Sequence, residues 1–220
     1  MSSGDKPRTS PRSLRQQQRT RRQLLDAGRN LIAAKGVAGL RVQEVTELAD
    51  VALGTFYNYF PSKTELLEAI TLETLTELAS FTIDADGSDA DPADVVAVAC
   101  LRVVGLATHD PELARLVVNI AHSEALFGQA VHPHARTAVD RGVSTGRFSV
   151  PDTDILLTTI IGGAFALIRE VLDGRHGQHA PEAFSRCALA TLGIRPDEAA
   201  IIVARAASGT THPPPAGFSH

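Results

Sequence analysis

The sequence predicts an all-α protein. Along most of its 220 residues, apolar side chains recur at spacings of three and four. No segment alternates apolar and polar residues for long enough to make a sheet strand, and the punctuation between segments is that of helix ends. With 44% hydrophobic and 21% charged residues, the chain can bury a core of its own, which excludes wholesale disorder.

Residues 1–13 are rich in Ser, Pro and Arg and read as a disordered basic arm. A helix over residues 14–35 follows, with Leu24, Leu25, Ala27, Gly28, Leu31 and Ile32 on one stripe and Arg19, Arg22, Gln23 and Asp26 facing away. Gly36 stands where a C-cap glycine would. Two short helices are predicted over 42–49 and 53–60, separated by Asp50-Val51-Ala52. Val45, Leu48 and Ala49 point inward in the first, Phe56 and Phe60 in the second. Pro61 stops that helix, and Ser62-Lys63-Thr64-Glu65 is a capping box that opens a helix to about residue 83. Its inward residues are Leu66, Leu67, Ile70, Leu75, Leu78 and Phe81.

An acidic loop over residues 84–91 divides the chain. Beyond it, Asp91-Pro92 and Asp110-Pro111 each set an N-cap acceptor before a proline, predicting helices over 92–108 and 111–121. A helical region over 122–146 is interrupted near Pro133. A strongly apolar helix over 153–172 ends at Asp173-Gly174, and helices over 181–192 and 197–207 precede a disordered tail, 213–220.

The net charge of −4 hides an asymmetry: residues 1–63 carry +6 and residues 64–220 carry −10. All three lysines fall in the first part. That pattern predicts an amino-terminal unit that binds a polyanion, joined to a body that avoids one. No stretch approaches the roughly 18 unbroken apolar residues of a membrane span, and the basic N-terminus has no apolar core after it. The expectation is a cytoplasmic protein without a membrane partner, in which Cys100 and Cys187 are buried free thiols.

The stretch Arg41–Lys63 has the form of a helix-turn-helix, one helix bracing another that lies in the major groove. With Phe56 and Phe60 anchoring the core, Leu53, Thr55, Tyr57, Asn58 and Tyr59 cover the other faces. Exposed Tyr and Asn suit phosphate and base-edge contacts, and Gly54 removes a side chain where backbone must approach DNA. The arginines Arg8, Arg12, Arg15, Arg19, Arg21 and Arg22 are within reach of neighbouring phosphates or the minor groove, though helix phase forbids all of them facing one groove.

The run Gly54-Thr55-Phe56-Tyr57-Asn58-Tyr59-Phe60-Pro61-Ser62-Lys63, followed by Glu65-Leu66-Leu67, resembles the signature of the TetR family of bacterial regulators. The likeness covers about residues 15–70; beyond it the chain agrees only in length and all-α character. It implies a homodimer on double-stranded DNA with a palindromic operator. A DNA-binding domain over 14–62 and a connecting helix over 63–83 would precede a ligand-binding and dimerisation domain over 84–212. It further implies that Gln43 contacts a base, that Leu53, Gly54, Thr55, Tyr57 and Asn58 present the recognition helix, and that Tyr59 and Lys63 bind phosphate. Three positions depart from the pattern: Asp50 replaces a turn glycine, Ala52 a Ser cap, and Arg41 a Thr cap.

By the same resemblance, the helices over 153–172 and 181–192 pair with their twofold mates through Leu157, Ile160, Ile161, Ala164, Ile168, Phe184, Cys187, Ala188 and Thr191. Leu101, Val104, Leu116, Ile120, Phe127 and His122 are candidates to line a pocket for a small apolar or amphipathic effector. His109, His122, His132 and His134 lack the spacing of a metal site, and neither metal nor cofactor is expected. There is no GxSxG, GxxxxGK[ST] or HExxH motif, so catalysis is not expected. The reading is a ligand-responsive transcriptional repressor; the alternative is a helical small-molecule-binding enzyme or scaffold whose helix-turn-helix does not bind DNA.

Overall fold

A computed structural model describes residues 11–83, 90–120 and 135–209, and among these every regular element is an α-helix. In chain order they are α1 (Pro11–Gly39), α2 (Val42–Leu48), α3 (Leu53–Tyr59), α4 (Lys63–Ile83), α5 (Pro92–His109) and α6 (Pro111–Ile120). Residues 135–144 form α7, followed by α8 (Thr153–Leu172), α9 (Ala180–Thr191) and α10 (Pro196–Gly209). The chain divides into two compact units, Met1–Ile70 and Thr71–His220, and the division falls inside the helix predicted as a connector. The segments 84–89 and 121–134, with Pro133, and the tail 213–220 lie outside the described residues, as do residues 1–10 of the predicted arm.

In the first unit α1 starts at Pro11, so residues 11–13 are helical where a disordered arm was expected. Proline at a first helical position forfeits no intrahelical bond, because its missing N–H would have had no partner there. Gly36 leaves the helix at φ 71°, as its predicted capping role requires. The stripe of Leu24, Leu25, Ala27, Gly28, Leu31 and Ile32 is buried, joined by Leu40, Val45, Ala49, Phe56, Phe60, Leu66 and Ile70. At Gly28 an added Cβ would lie 2.6 Å from Ile70 Cδ1 and 3.3 Å from Leu66 Cδ2, so glycine sets the closeness of α1 and α4 there. Leu48 departs from prediction and is 55% exposed, while Thr46 is buried in its place. The inward stripe of α2 centres on Val45 and Ala49, and at about 100° per residue Leu48 and Thr46 lie about 80° to either side of that centre, so helical phase alone does not choose between them.

In the second unit α5 packs on α8, α9 and α10. One apolar cluster joins Ala97, Leu101, Val139, Phe148, Leu157, Leu189, Leu192 and Ile202. Another joins Leu75, Leu78, Leu106, Val117 and Ile168. The predicted caps form: Asp91 Oδ1 accepts from the Ala93 N–H at 2.9 Å, and Asp110 Oδ1 from the Leu113 N–H at 3.0 Å. Asp152 caps α8 in the same way, and Gly174 closes it at φ 76°. Cys100 is buried and its thiol is pushed up to about 12 by desolvation, whereas Cys187 is exposed, against expectation. It sits on the side of α9 that α5 does not cover, since Ser185, Ala188 and Leu189 take the inward positions.

Arg147 ties three segments of this unit together. Its Nε donates to both Asp91 oxygens at 3.0 and 3.1 Å, and its Nη2 lies 2.7 Å from Glu198 Oε1. Arg205 pairs with Asp94 one helical turn away. The guanidinium of Arg147, foremost through its hydrogen bond, holds the Asp91 carboxyl below the ordinary value of 3.8. A carboxyl depressed in the fold adds stability above its unfolded pKa and loses it as pH falls through the folded one. Arg147→Met should therefore lower the free energy of urea unfolding at pH 7 by about 1 kcal/mol, both partners being partly exposed. The gap between variant and parent should narrow as pH falls below the ordinary carboxyl value of 3.8 and through the lower folded one, as urea titrations at stepped pH would show.

Candidate nucleic-acid interface

Local backbone chemistry sets the two short helices. Arg41 precedes α2 with an extended backbone and no side-chain cap. Its Nη1 donates instead to the carbonyls of Ala38 at 2.7 Å and Leu40 at 3.3 Å. The end of α2 is a Schellman closure: the Asp50 N–H reaches Glu47 O at 3.2 Å, and the Val51 N–H reaches Thr46 O at 3.0 Å. Asp50 occupies the left-handed position at φ 53°, which Asp tolerates better than most side chains. Ala52 then starts α3 with no side-chain acceptor, as the sequence implied. Ser62 Oγ accepts from the Glu65 N–H at 3.2 Å and so supplies the predicted cap of α4.

The two phenylalanines orient α3. Phe56 is fully buried, with Phe60 5.9 Å away and the Arg21 guanidinium 5.5 Å above the Phe60 ring. The adjacent Tyr57, edge-on to Phe56 at 5.2 Å, is 53% exposed. Leu53, Gly54 and Asn58 are exposed as well, Thr55 and Tyr59 are half-buried, and Gln43 and Lys63 are exposed on α2 and α4. The structure thus gathers the predicted recognition residues on one short helix whose opposite side is anchored. An added Cβ at Gly54 would meet nothing within 4 Å. Glycine inside a helix costs roughly 0.5–1 kcal/mol against alanine, and no packing among the described residues requires it here.

The second unit corrects the predicted subunit contacts. Leu157, Ala164, Ile168 and Ala188 are buried against other helices of the same chain, so none of the four is on its surface. Ile160, Ile161 and Phe184 are half-buried, while Cys187 and Thr191 are exposed. The open face of α8 is instead Ile155, at 67% exposure, with Thr159, Gly162 and Ala166. A helix apolar on all sides gives no internal signal of its inward stripe, so only its neighbours decide it. By length and composition α5 and α8 are each apolar enough to cross a membrane, although much of α5 is buried in the core. Of the candidate pocket residues, Leu101, Val104, Leu116 and Ile120 are buried, whereas Phe127 and His122 lie outside the described residues, as do His132 and His134. His109 donates from Nδ1 to the Gly105 carbonyl at 2.9 Å.

Residues 24–70 match the family model for bacterial regulatory proteins of the tetR family, and residues 91–205 match that for the tetracyclin repressor-like C-terminal domain. The chain belongs to the TetR family. The HTH-type transcriptional repressor KstR of Rhodococcus jostii is 45% identical over 51 residues, 23% of this chain and 24% of that protein. Its Mycolicibacterium smegmatis counterpart is 43% identical over 51 residues, 23% of this chain and 25% of that protein. The chain thus matches about a quarter of the length of these curated relatives. The crystal structure of RolR in complex with resorcinol superposes with a TM-score of 0.63 at 27% identity, over 87% of this chain and 96% of that one. A TetR family regulator from Marinobacter aquaeolei reaches 0.69 at 20% identity, over 81% and 98%, and shares the fold.

The left-handed turn residue gives a direct test. Asp50→Gly should leave stability close to that of the parent, and Asp50→Val should cost about 1–2 kcal/mol, measured by thermal unfolding of the full chain.

Proposed function

We propose that the protein is a dimeric, ligand-responsive transcriptional repressor that leaves a palindromic operator when a small molecule binds. The observation that carries this reading is the pairing on α3 of a fully buried Phe56 with an open Tyr57. Such a helix spends its anchoring on one side to hold polar and aromatic groups out on the other. Tyr57, Asn58, Thr55 and Leu53 read base edges or neighbouring backbone, Gln43 adds a base contact from α2, and Tyr59 and Lys63 hold phosphates. Gly54, where an added Cβ would meet open space among the described residues, lets a phosphate backbone come close.

Paired half-sites need a twofold dimer. Ile155, Thr159, Gly162 and Ala166 follow one another at four, three and four residues on the open face of α8, and beside them α9 offers Cys187 and Thr191. A Cβ at Gly162 would also meet nothing, which suits close approach of a partner helix. This reading takes the apolar surface of α8 as a subunit contact in a cytoplasmic protein rather than as a membrane span. The effector is an apolar or amphipathic small molecule held among α5 and α6, near Leu101, Val104, Leu116 and Ile120. Likeness to RolR makes small phenols the first class to try. Effector binding shifts the dimer towards a spacing of recognition helices that no longer fits two successive major grooves.

Footprinting of the protein on its own upstream DNA would supply the probe duplex for gel-shift titration. Tyr59→Phe and Lys63→Ala should weaken binding to all sequences, Lys63→Ala also lowering the salt slope by about 0.9 per protomer. Asn58→Ala and Gln43→Ala should relax preference at particular base pairs by about 1–3 kcal/mol. Unchanged affinity in all four variants would overturn the reading. Gly162→Leu should yield folded monomers in sedimentation velocity, and a dimer that persists unchanged would remove α8 as the contact.

A further inference from the structure

α1 is longer than its core requires. Its buried face begins at Thr20, and residues 14–19 are all exposed. From Leu14 to Arg19 the helix therefore runs about 9 Å without a buried side chain, at 1.5 Å per residue. Arg15, Arg19 and Arg22 follow at four and three residues, which sets them on one face. Arg22 pairs with Asp26 at 3.8 Å on the exposed surface. Among the described residues no carboxylate pairs with Arg15 or Arg19.

This arrangement opposes what helix electrostatics favour. The first turn of α1 holds no acidic residue, and like charges four apart repel by about 0.2–0.5 kcal/mol. Gln16, Gln17 and Gln18 lie between the arginines and add donors without any carboxylate to neutralise them. A surface of fixed negative charge relieves that repulsion. The neighbourhood names the surface: Arg21, adjacent to Arg22, stacks on Phe60 at the carboxyl end of α3. The extension thus leaves the unit beside the end of α3 that bears Tyr59.

We infer that the amino-terminal turns of α1 are a helical clamp on the DNA backbone, with Arg15 and Arg19 contacting phosphates that flank the major-groove site. The inference rests on the DNA-binding reading above and adds to it a second contact region, independent of base sequence. Duplex DNA presents one charge per about 1.7 Å of axis, so a rod of this length meets several phosphates.

The test uses the full chain with Arg15→Gln and Arg19→Gln combined, titrated by fluorescence anisotropy at several salt concentrations. The probes are a duplex cut to the base pairs at which Asn58→Ala and Gln43→Ala relax preference, the same site with ten further base pairs on each side, and a scrambled duplex. The parent should bind the longer duplex more tightly than the trimmed one, and the double variant should lose that gain. The slope of log K against log salt should fall by about 0.9 per lost phosphate, hence about 1.8 per protomer. The ratio of operator to scrambled affinity should stay the same, and Arg15→Lys with Arg19→Lys should keep the parental slope. An Arg115→Gln and Arg195→Gln pair, which removes equal charge from the second unit, should change neither quantity. An equal loss in that control pair would reduce the effect to net charge and overturn the clamp. So would an unchanged slope in the Arg15 and Arg19 variant while Asn58→Ala still relaxes base preference. If the parent itself binds no duplex in a salt-dependent way, the DNA-binding reading fails, and the clamp with it.

Discussion

A helix of seven residues does not persist in water on its own, because so few hydrogen bonds cannot repay nucleation. α3 exists because Phe56 and Phe60, one turn apart, are sealed into the core of the first unit. Everything proposed for the outer side of α3 follows from that burial. Two fixed aromatic anchors set both the position and the rotation of the helix, so Tyr57 and Asn58 are held outward rather than merely left there. The Schellman closure at Asp50 and the carbonyl contacts of Arg41 serve the same end by fixing how the chain enters and leaves α2.

What could be read in the sequence was local. Aspartates before prolines, the Ser62 cap, the break at Gly36 and the left-handed tolerance of Asp50 each depend on a few adjacent residues, and each appears in the structure. The faces of α1 and α3 were legible because their polar and apolar residues segregate strongly. Errors arose where direction depends on distant partners. Leu48 sits on a helix too short for its period to resolve one apolar edge from another. Leu157, Ala164, Ile168 and Ala188 belong to helices so apolar that sequence alone does not tell the inward side from the outward one. The extent of α1 was missed because a segment of Ser, Pro and Arg has the composition of a tail, although its arginines also fit a helical repeat.

Three glycines show how one residue type carries different information. At Gly28 the nearest atom, Ile70 Cδ1, lies 2.6 Å from where a side chain would begin, so its absence is explained inside the chain. At Gly54 and Gly162 the same construction meets open space, on the two helices whose outward faces the proposed function uses. The contrast separates glycines that serve the fold from glycines whose reason must be sought outside it.

The two thiols differ in a way that has a practical use. Cys100 is sealed, with its ionisation pushed far from neutrality, while Cys187 stands at the surface of α9. A maleimide reagent would thus mark Cys187 on a free protomer, and slower labelling at higher protein concentration would follow from the cover that the proposed dimer places over α9. The same labelling rate, followed with DNA or a candidate effector added in turn, would show which of them loosens that contact.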